Sequence, residues 1–126
     1  MNFPYLDGYQ VVPVEFRDGS GKWHKFWGYL DSGAAHSVFH SDIADILGID
    51  VHNKGERSDL TVGNGSKIET FVHKIPVRFA GEEFVAEISF SSGLGIGTNI
   101  LGMKSFFDKF RICFNNKKQI VEVEYS

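Results

Sequence analysis

The sequence has little of what marks the special protein classes. Its 126 residues include one cysteine, Cys113, and three prolines. A lone Cys makes no internal disulfide, which sets aside the disulfide-stapled secreted scaffolds and leads us to expect a reducing, cytoplasmic setting. The apolar runs are short and broken by charges or Gly, so no stretch is long enough to span a bilayer as a helix, and no membrane partner is expected. Residues 1–7 lack the basic region and apolar stretch of a signal peptide. Neither sign of charge dominates: 13 Lys and Arg against 16 Asp and Glu leave a net charge of −3. The densest basic run is Lys117-Lys118, so nucleic acid is not an expected partner. There is no linker, low-complexity tract or tandem repeat.

Bulk and alternation are what the chain does have. It is 42% hydrophobic, with 12 Phe, 2 Trp and 4 Tyr, enough to fill the core of one domain spanning residues 1–126. Period-two alternation with Gly-rich punctuation predicts a mainly β fold with one or two short helices. Val12, Val14 and Phe16 share a face of a first strand, Asp18-Gly19-Ser20-Gly21 turns it, and residues 22–30 return as a second. Ser41 is placed to cap a short helix with Ile43, Ala44, Ile46 and Leu47 apolar and Gly48 closing it. Gly63-Asn64-Gly65 reads as a hairpin tip. Its return strand covers residues 67–79, with Pro76 placing part of it at a sheet edge. Phe84, Ala86, Ile88 and Phe90 share a face of the next strand. A Gly-rich loop, residues 91–98, leads to Asn99-Ile100-Leu101-Gly102 and a short amphipathic segment at residues 103–107. Phe110, Ile112 and Phe114, then Val121, Val123 and Tyr125, alternate in two closing strands. Each half runs hairpin, Gly-containing apolar loop, short helix, as if one motif were used twice about a pseudo-twofold axis.

The sharpest chemical feature is Asp31-Ser32-Gly33-Ala34, a carboxylate between an apolar strand and a Gly that permits close backbone approach. For an arbitrary Asp-Ser-Gly, a plain surface turn is the commoner outcome. Three further features count against that here: the apolar lead-in at residues 27–30, the glycine-tipped hairpin, and Ile100-Leu101-Gly102 downstream.

In that order the motifs resemble those of the retropepsin-like aspartic proteases, over residues 10–124. The nearer likeness is to the protease domain of the DNA-damage-inducible ubiquitin shuttle proteins and to retrotransposon-type relatives. The resemblance implies a closed β-barrel of the acid-protease type, active as a homodimer with its site on the twofold axis. Asp31 would be the catalytic residue and Ser32, Gly33 and Ala34 its active-site loop. Gly63, Asn64 and Gly65 would form the flap tip, and Ile100, Leu101 and Gly102 the supporting loop. Retroviral members carry a further Asp and Arg where this chain has Ala35 and Met103; both partners are missing together, so no charge is orphaned.

The implied function is an aspartic endopeptidase acting on an extended peptide or unfolded protein. Two Asp31 carboxylates meeting at an axis cannot both ionise easily, so the pair holds one proton and supplies one base and one acid. Water attacks the scissile carbonyl, and neither cofactor nor metal is needed. The alternative is a catalytically idle dimeric peptide-binding module of the same fold. Among rival signals, His36 and His40 have the spacing of helical zinc ligands but sit in a strand-like context, and His24, His52 and His73 read as polar strand or loop positions. Gly93-Leu94-Gly95-Ile96-Gly97 lacks the spacing of a phosphate loop and reads as a pliable loop by the groove. No GxSxG supports a Ser nucleophile. Phe106, Phe107, Phe110 and Phe114 read as core or dimer interface.

Overall fold

The computed structural model describes residues 1–51, 55–61, 65–94 and 98–126. The mainly β expectation holds. The strands are β1 (Asn2–Pro4), β2 (Val11–Arg17), β3 (Trp23–Leu30), β4 (Ser37–His40), β5 (Glu56–Thr61), β6 (Lys67–Phe79), β7 (Glu82–Ser91), β8 (Ile100–Leu101), β9 (Phe110–Asn115) and β10 (Ile120–Tyr125). One short helix, α1 (Ser41–Ile46), follows β4.

β2 and β3 form the first hairpin, closing at Arg17↔Trp23. Asp18 holds its turn: one carboxylate oxygen accepts from the Ser20 and Lys22 N–H groups, both at 2.9 Å, and the other lies 2.7 Å from His24 Nε2. Those bonds, His24 foremost, keep the Asp18 carboxyl well below the usual carboxylate range. The larger sheet runs β2-β3-β8-β4-β7-β6-β5, and β2 pairs in addition with β6. β6 pairs with β5 up to Val72 and with β2 at Val77 and Arg78. Pro76 falls in the gap, where β7 is the one strand paired with β6 among the described residues. The smaller sheet runs β1-β10-β9.

The pseudo-twofold has a concrete form. β3 runs parallel to β8 and β4 parallel to β7. Exchanging β3 with β7 and β4 with β8 turns one pairing into the other. The alternating rows meet in one core whose fully buried members include Phe16, Phe39, Phe79, Phe90, Phe106 and Leu101. Phe79 packs edge-on against Phe106 and Phe110, at centroid distances of 5.4 and 5.1 Å.

Four local expectations are corrected. α1 is capped by His40, whose Nδ1 accepts from the Asp42 N–H at 3.1 Å, not by Ser41. Ile46 is 56% exposed, because a helix this short turns a single face, Ala44 and Leu47, to the core. The segment Met103–Phe107 is no regular helix: Lys104 is extended and Ser105 has φ +75°. That kink drops Phe106 into the core while its first residues hold the loop opposite. His73 is buried, its Nε2 3.0 Å from the Val51 carbonyl and its ring against Phe90. His52 lies outside the described residues.

Candidate active site

Asp31 follows directly on β3. The parallel register Tyr29↔Ile100 and Leu30↔Leu101 sets that strand end beside β8, and the Asp31 N–H donates to the Leu101 carbonyl at 3.0 Å. The loop then turns on itself. The Gly33 N–H donates to Asp31 Oδ1 at 2.9 Å and the Ala34 N–H to the Asp31 carbonyl at 3.1 Å. One carboxylate oxygen is thereby oriented by the backbone, while the side chain stays half-buried at the surface of the groove.

The opposing loop clamps this one from below. Met103 and Lys104 donate their N–H groups to the carbonyls of Ala34 and Ala35, at 2.8 and 3.0 Å. The Gly102 N–H donates to the buried Ser37 Oγ at 2.9 Å. Gly102 has to be glycine: a Cβ there would stand 2.3 Å from the His36 carbonyl oxygen and 2.7 Å from that of Ala34. Supporting-loop residues Ile100, Leu101 and Gly102 thus come together with Asp31, Ser32, Gly33 and Ala34. Met103, at a position where retroviral members carry Arg, takes part through its main chain while its side chain is largely exposed.

Asp31 opens onto a groove of about 680 Å³. Gly33, Ala34 and Ile100 line its floor, and Asp59, Leu60, Thr61 and Ile68 bring in the β5–β6 hairpin. Leu94 of the Gly-rich loop lines it as well. Gly65 has φ +84°, the left-handed turn conformation expected of it. Gly63 and Asn64 lie outside the described residues, as do residues 95–97. The apolar lead-in is less buried than expected. Trp27 is 44% exposed and, with Tyr9, Val11 and Tyr29, lines a second cavity of about 360 Å³. Trp27 and Tyr29 share the face of β3 opposite the buried Gly28 and Leu30.

Four supporting residues escaped sequence reasoning. Ser37 anchors Gly102; a hydroxyl at the head of an apolar strand was its faint signal. Asn99 donates through Nδ2 to the Trp27 carbonyl at 3.0 Å and accepts the His40 N–H at 3.2 Å, joining β3 to β4. Lys104 pairs with Glu87 of β7 at 2.6 Å, and this holds the Glu87 carboxyl below its ordinary value. Nothing local marks either partner. Among the described residues no group of three or more His, Cys, Asp or Glu is placed to hold a metal, and no helix is long and apolar enough to cross a membrane.

The whole arrangement can be set beside solved structures. A crystal structure of a retropepsin-like aspartic protease from Rickettsia conorii superposes with a TM-score of 0.68 at 19% sequence identity, covering 98% of this chain and 97% of that one. The chain has a retropepsin-like fold. No family model matches the sequence, and no curated protein matches it.

Proposed function

We propose that the protein is a homodimeric aspartic endopeptidase in which Asp31 of each copy contributes half of the catalytic pair. The observation that carries this reading is the seating of Asp31: one oxygen held by the Gly33 N–H, the loop clamped through Gly102, and the carboxylate lining a groove of about 680 Å³. Within such a dimer the ionised Asp31 takes a proton from the attacking water. The protonated one hydrogen-bonds the scissile carbonyl oxygen. Ser32 is exposed, and in the proposed dimer it is assigned a hydroxyl bond across the axis. The β5–β6 hairpin, with its tip at Gly63, Asn64 and Gly65, serves as the flap that closes over substrate and excludes water. The β2–β6 pairing supports reading the larger sheet as a closed barrel. Substrate is a peptide or unfolded segment bound as an added strand. The motif order favours, within the retropepsin-like proteins, the likeness to the DNA-damage-inducible shuttle proteases. We assign the chain to the cytoplasm, with no cofactor, nucleic acid or membrane partner.

The test is cleavage of a peptide library by the wild type beside Asp31→Asn. The amide neither accepts the water's proton nor shares one, so turnover is expected to vanish with the fold intact. Cleavage by Asp31→Asn at the wild-type rate refutes the assignment. Wild-type protein that binds peptides without cutting them establishes the idle binding module instead.

A further inference from the structure

A further cavity, of about 250 Å³, adjoins the groove and shares His36 with it. Along β5 the two are contiguous: Asp59, Leu60 and Thr61 line the groove, and Glu56, Arg57 and Ser58 line the cavity. Three residues of strand span about 10 Å. An extended peptide lying in the groove therefore reaches the cavity with a side chain a few residues from the bond held at Asp31.

One wall of the cavity is a row across three strands. Glu56 pairs with Val72 and Val72 with Ser89, and residues opposed in a ladder share a face. Ser89 alternates with the core row of Ala86, Ile88 and Phe90, borders the cavity, and is 2% exposed. It is the exception among the buried polar residues. The side chains of Ser37, Thr70, His73, Ser91 and Ser105 each make a hydrogen bond, whereas the Ser89 hydroxyl makes none among the described residues. A buried hydroxyl without a partner is costly, so Ser89 presents an unmet hydrogen bond to the cavity.

Charge indicates the partner. Lys104 is engaged with Glu87 at 2.6 Å, and Arg57 with Glu69 at 2.9 Å and Asp59 at 3.7 Å. Glu56 makes no ion pair among the described residues. The cavity thus offers an uncompensated carboxylate and an unpaired hydroxyl, both able to accept, while its Lys and Arg are already paired.

We propose that this cavity is a specificity subsite for a basic side chain, Lys or Arg, of the peptide bound in the groove, with Ser89 Oγ and the Glu56 carboxylate accepting from its N–H groups. The inference rests on the reading of the groove as a peptide site. A neutral side chain of similar length leaves Glu56 uncompensated, and an acidic one is repelled by it.

Positional scanning tests the subsite. A parent peptide that the wild type cleaves, acetylated so that its terminal amine does not compete, is varied to Lys, Met or Glu at each position on either side of the cleaved bond. At one position Lys is expected to raise kcat/KM about tenfold over Met, chiefly through KM, with Glu below Met. In Glu56→Gln and in Ser89→Ala the Lys-to-Met ratio should fall toward one, and Glu56→Lys should reverse the order to favour Glu. Ser89→Ala should keep its Tm, because no internal hydrogen bond is lost. A Ser89→Ala protein with lowered Tm and an unchanged ratio makes Ser89 structural and overturns the proposal. So does the absence of any position at which Lys exceeds Met, or a Lys preference that survives Glu56→Gln. Binding of the same peptides, labelled with a fluorophore, separates this reading from the peptidase. Cleavage without a Lys preference leaves the peptidase and removes the subsite. Binding that depends on Lys and on Glu56, with no cleavage, leaves the subsite and removes the peptidase. Neither binding nor cleavage removes both.

Discussion

Gly102→Ala is the smallest perturbation aimed at the clamp beneath Asp31. The added Cβ would lie 2.3 Å from the His36 carbonyl oxygen, 1.1 Å inside the 3.4 Å at which ordinary contact begins (3.4 minus 2.3). Backbone atoms obstruct it, so no rotamer change relieves the clash. Either residues 34–36 or residues 101–104 must move by about 1 Å, which stretches the 2.8 Å bond from Met103 to Ala34 and the 2.9 Å bond from Gly102 to Ser37. Overpacking costs about 1–3 kcal/mol and a weakened buried hydrogen bond adds about 1 kcal/mol. Together they come to about 2–4 kcal/mol, or roughly 10 °C in Tm for a chain of this size. Activity should fall further than stability, since displacing a catalytic group by 1 Å costs on the order of a hundredfold in rate. The assay is thermal unfolding beside peptide kinetics at a temperature where both proteins are folded. Gly19→Ala is the control: its Cβ meets nothing within 4 Å and its φ is not left-handed, so both readouts should stay at wild type. A Gly102→Ala protein with unchanged Tm and unchanged turnover refutes the clamp.

Other perturbations probe other parts. Ser37→Ala leaves the buried Gly102 N–H without its acceptor and should lower stability by about 1–3 kcal/mol in chemical denaturation; a change below the error of the fit would remove Ser37 as an anchor. Gly65→Val forces a β-branched residue into φ +84° in otherwise open space, a local strain of about 1–2 kcal/mol. Peptide turnover should drop through poorer flap closure while Tm falls by about 5 °C, less than for Gly102→Ala, and unchanged kinetics would separate this hairpin from catalysis. The Glu87–Lys104 pair sets a pH dependence. Because Lys104 lowers the Glu87 carboxyl from its ordinary 4.5, its stabilisation is fully present above that value and is lost as pH falls through the lower, folded-state one. Melts of wild type and Lys104→Met should therefore differ most near neutral pH and converge in acid; a gap that widens in acid contradicts the pairing.

Much of the fold was legible because alternation is a local property. A strand with one face in a core must alternate, and a turn needing positive φ selects Gly, so the hairpins, the 67–79 strand and the Gly65 turn follow from residue order alone. Asp31-Ser32-Gly33-Ala34 and Ile100-Leu101-Gly102 were legible for the same reason: each is a contiguous run with special backbone needs. Tertiary structure decided what depends on neighbours distant in sequence. It brought Gly102 to within a Cβ's reach of the 34–36 backbone, recruited Ser37, Asn99 and the Glu87–Lys104 pair, and buried His73 against Phe90. It kinked the segment Met103–Phe107 where local pattern reads as helix, since sinking Phe106 between Phe79 and Phe84 outweighs two residues' helical preference. It also placed β10 between β1 and β9, leaving those two strands as the edges of the smaller sheet. Alternation tells which face of a strand is buried; which edge stays open depends on the order of strands in the sheet, and that is fixed only when the whole chain packs.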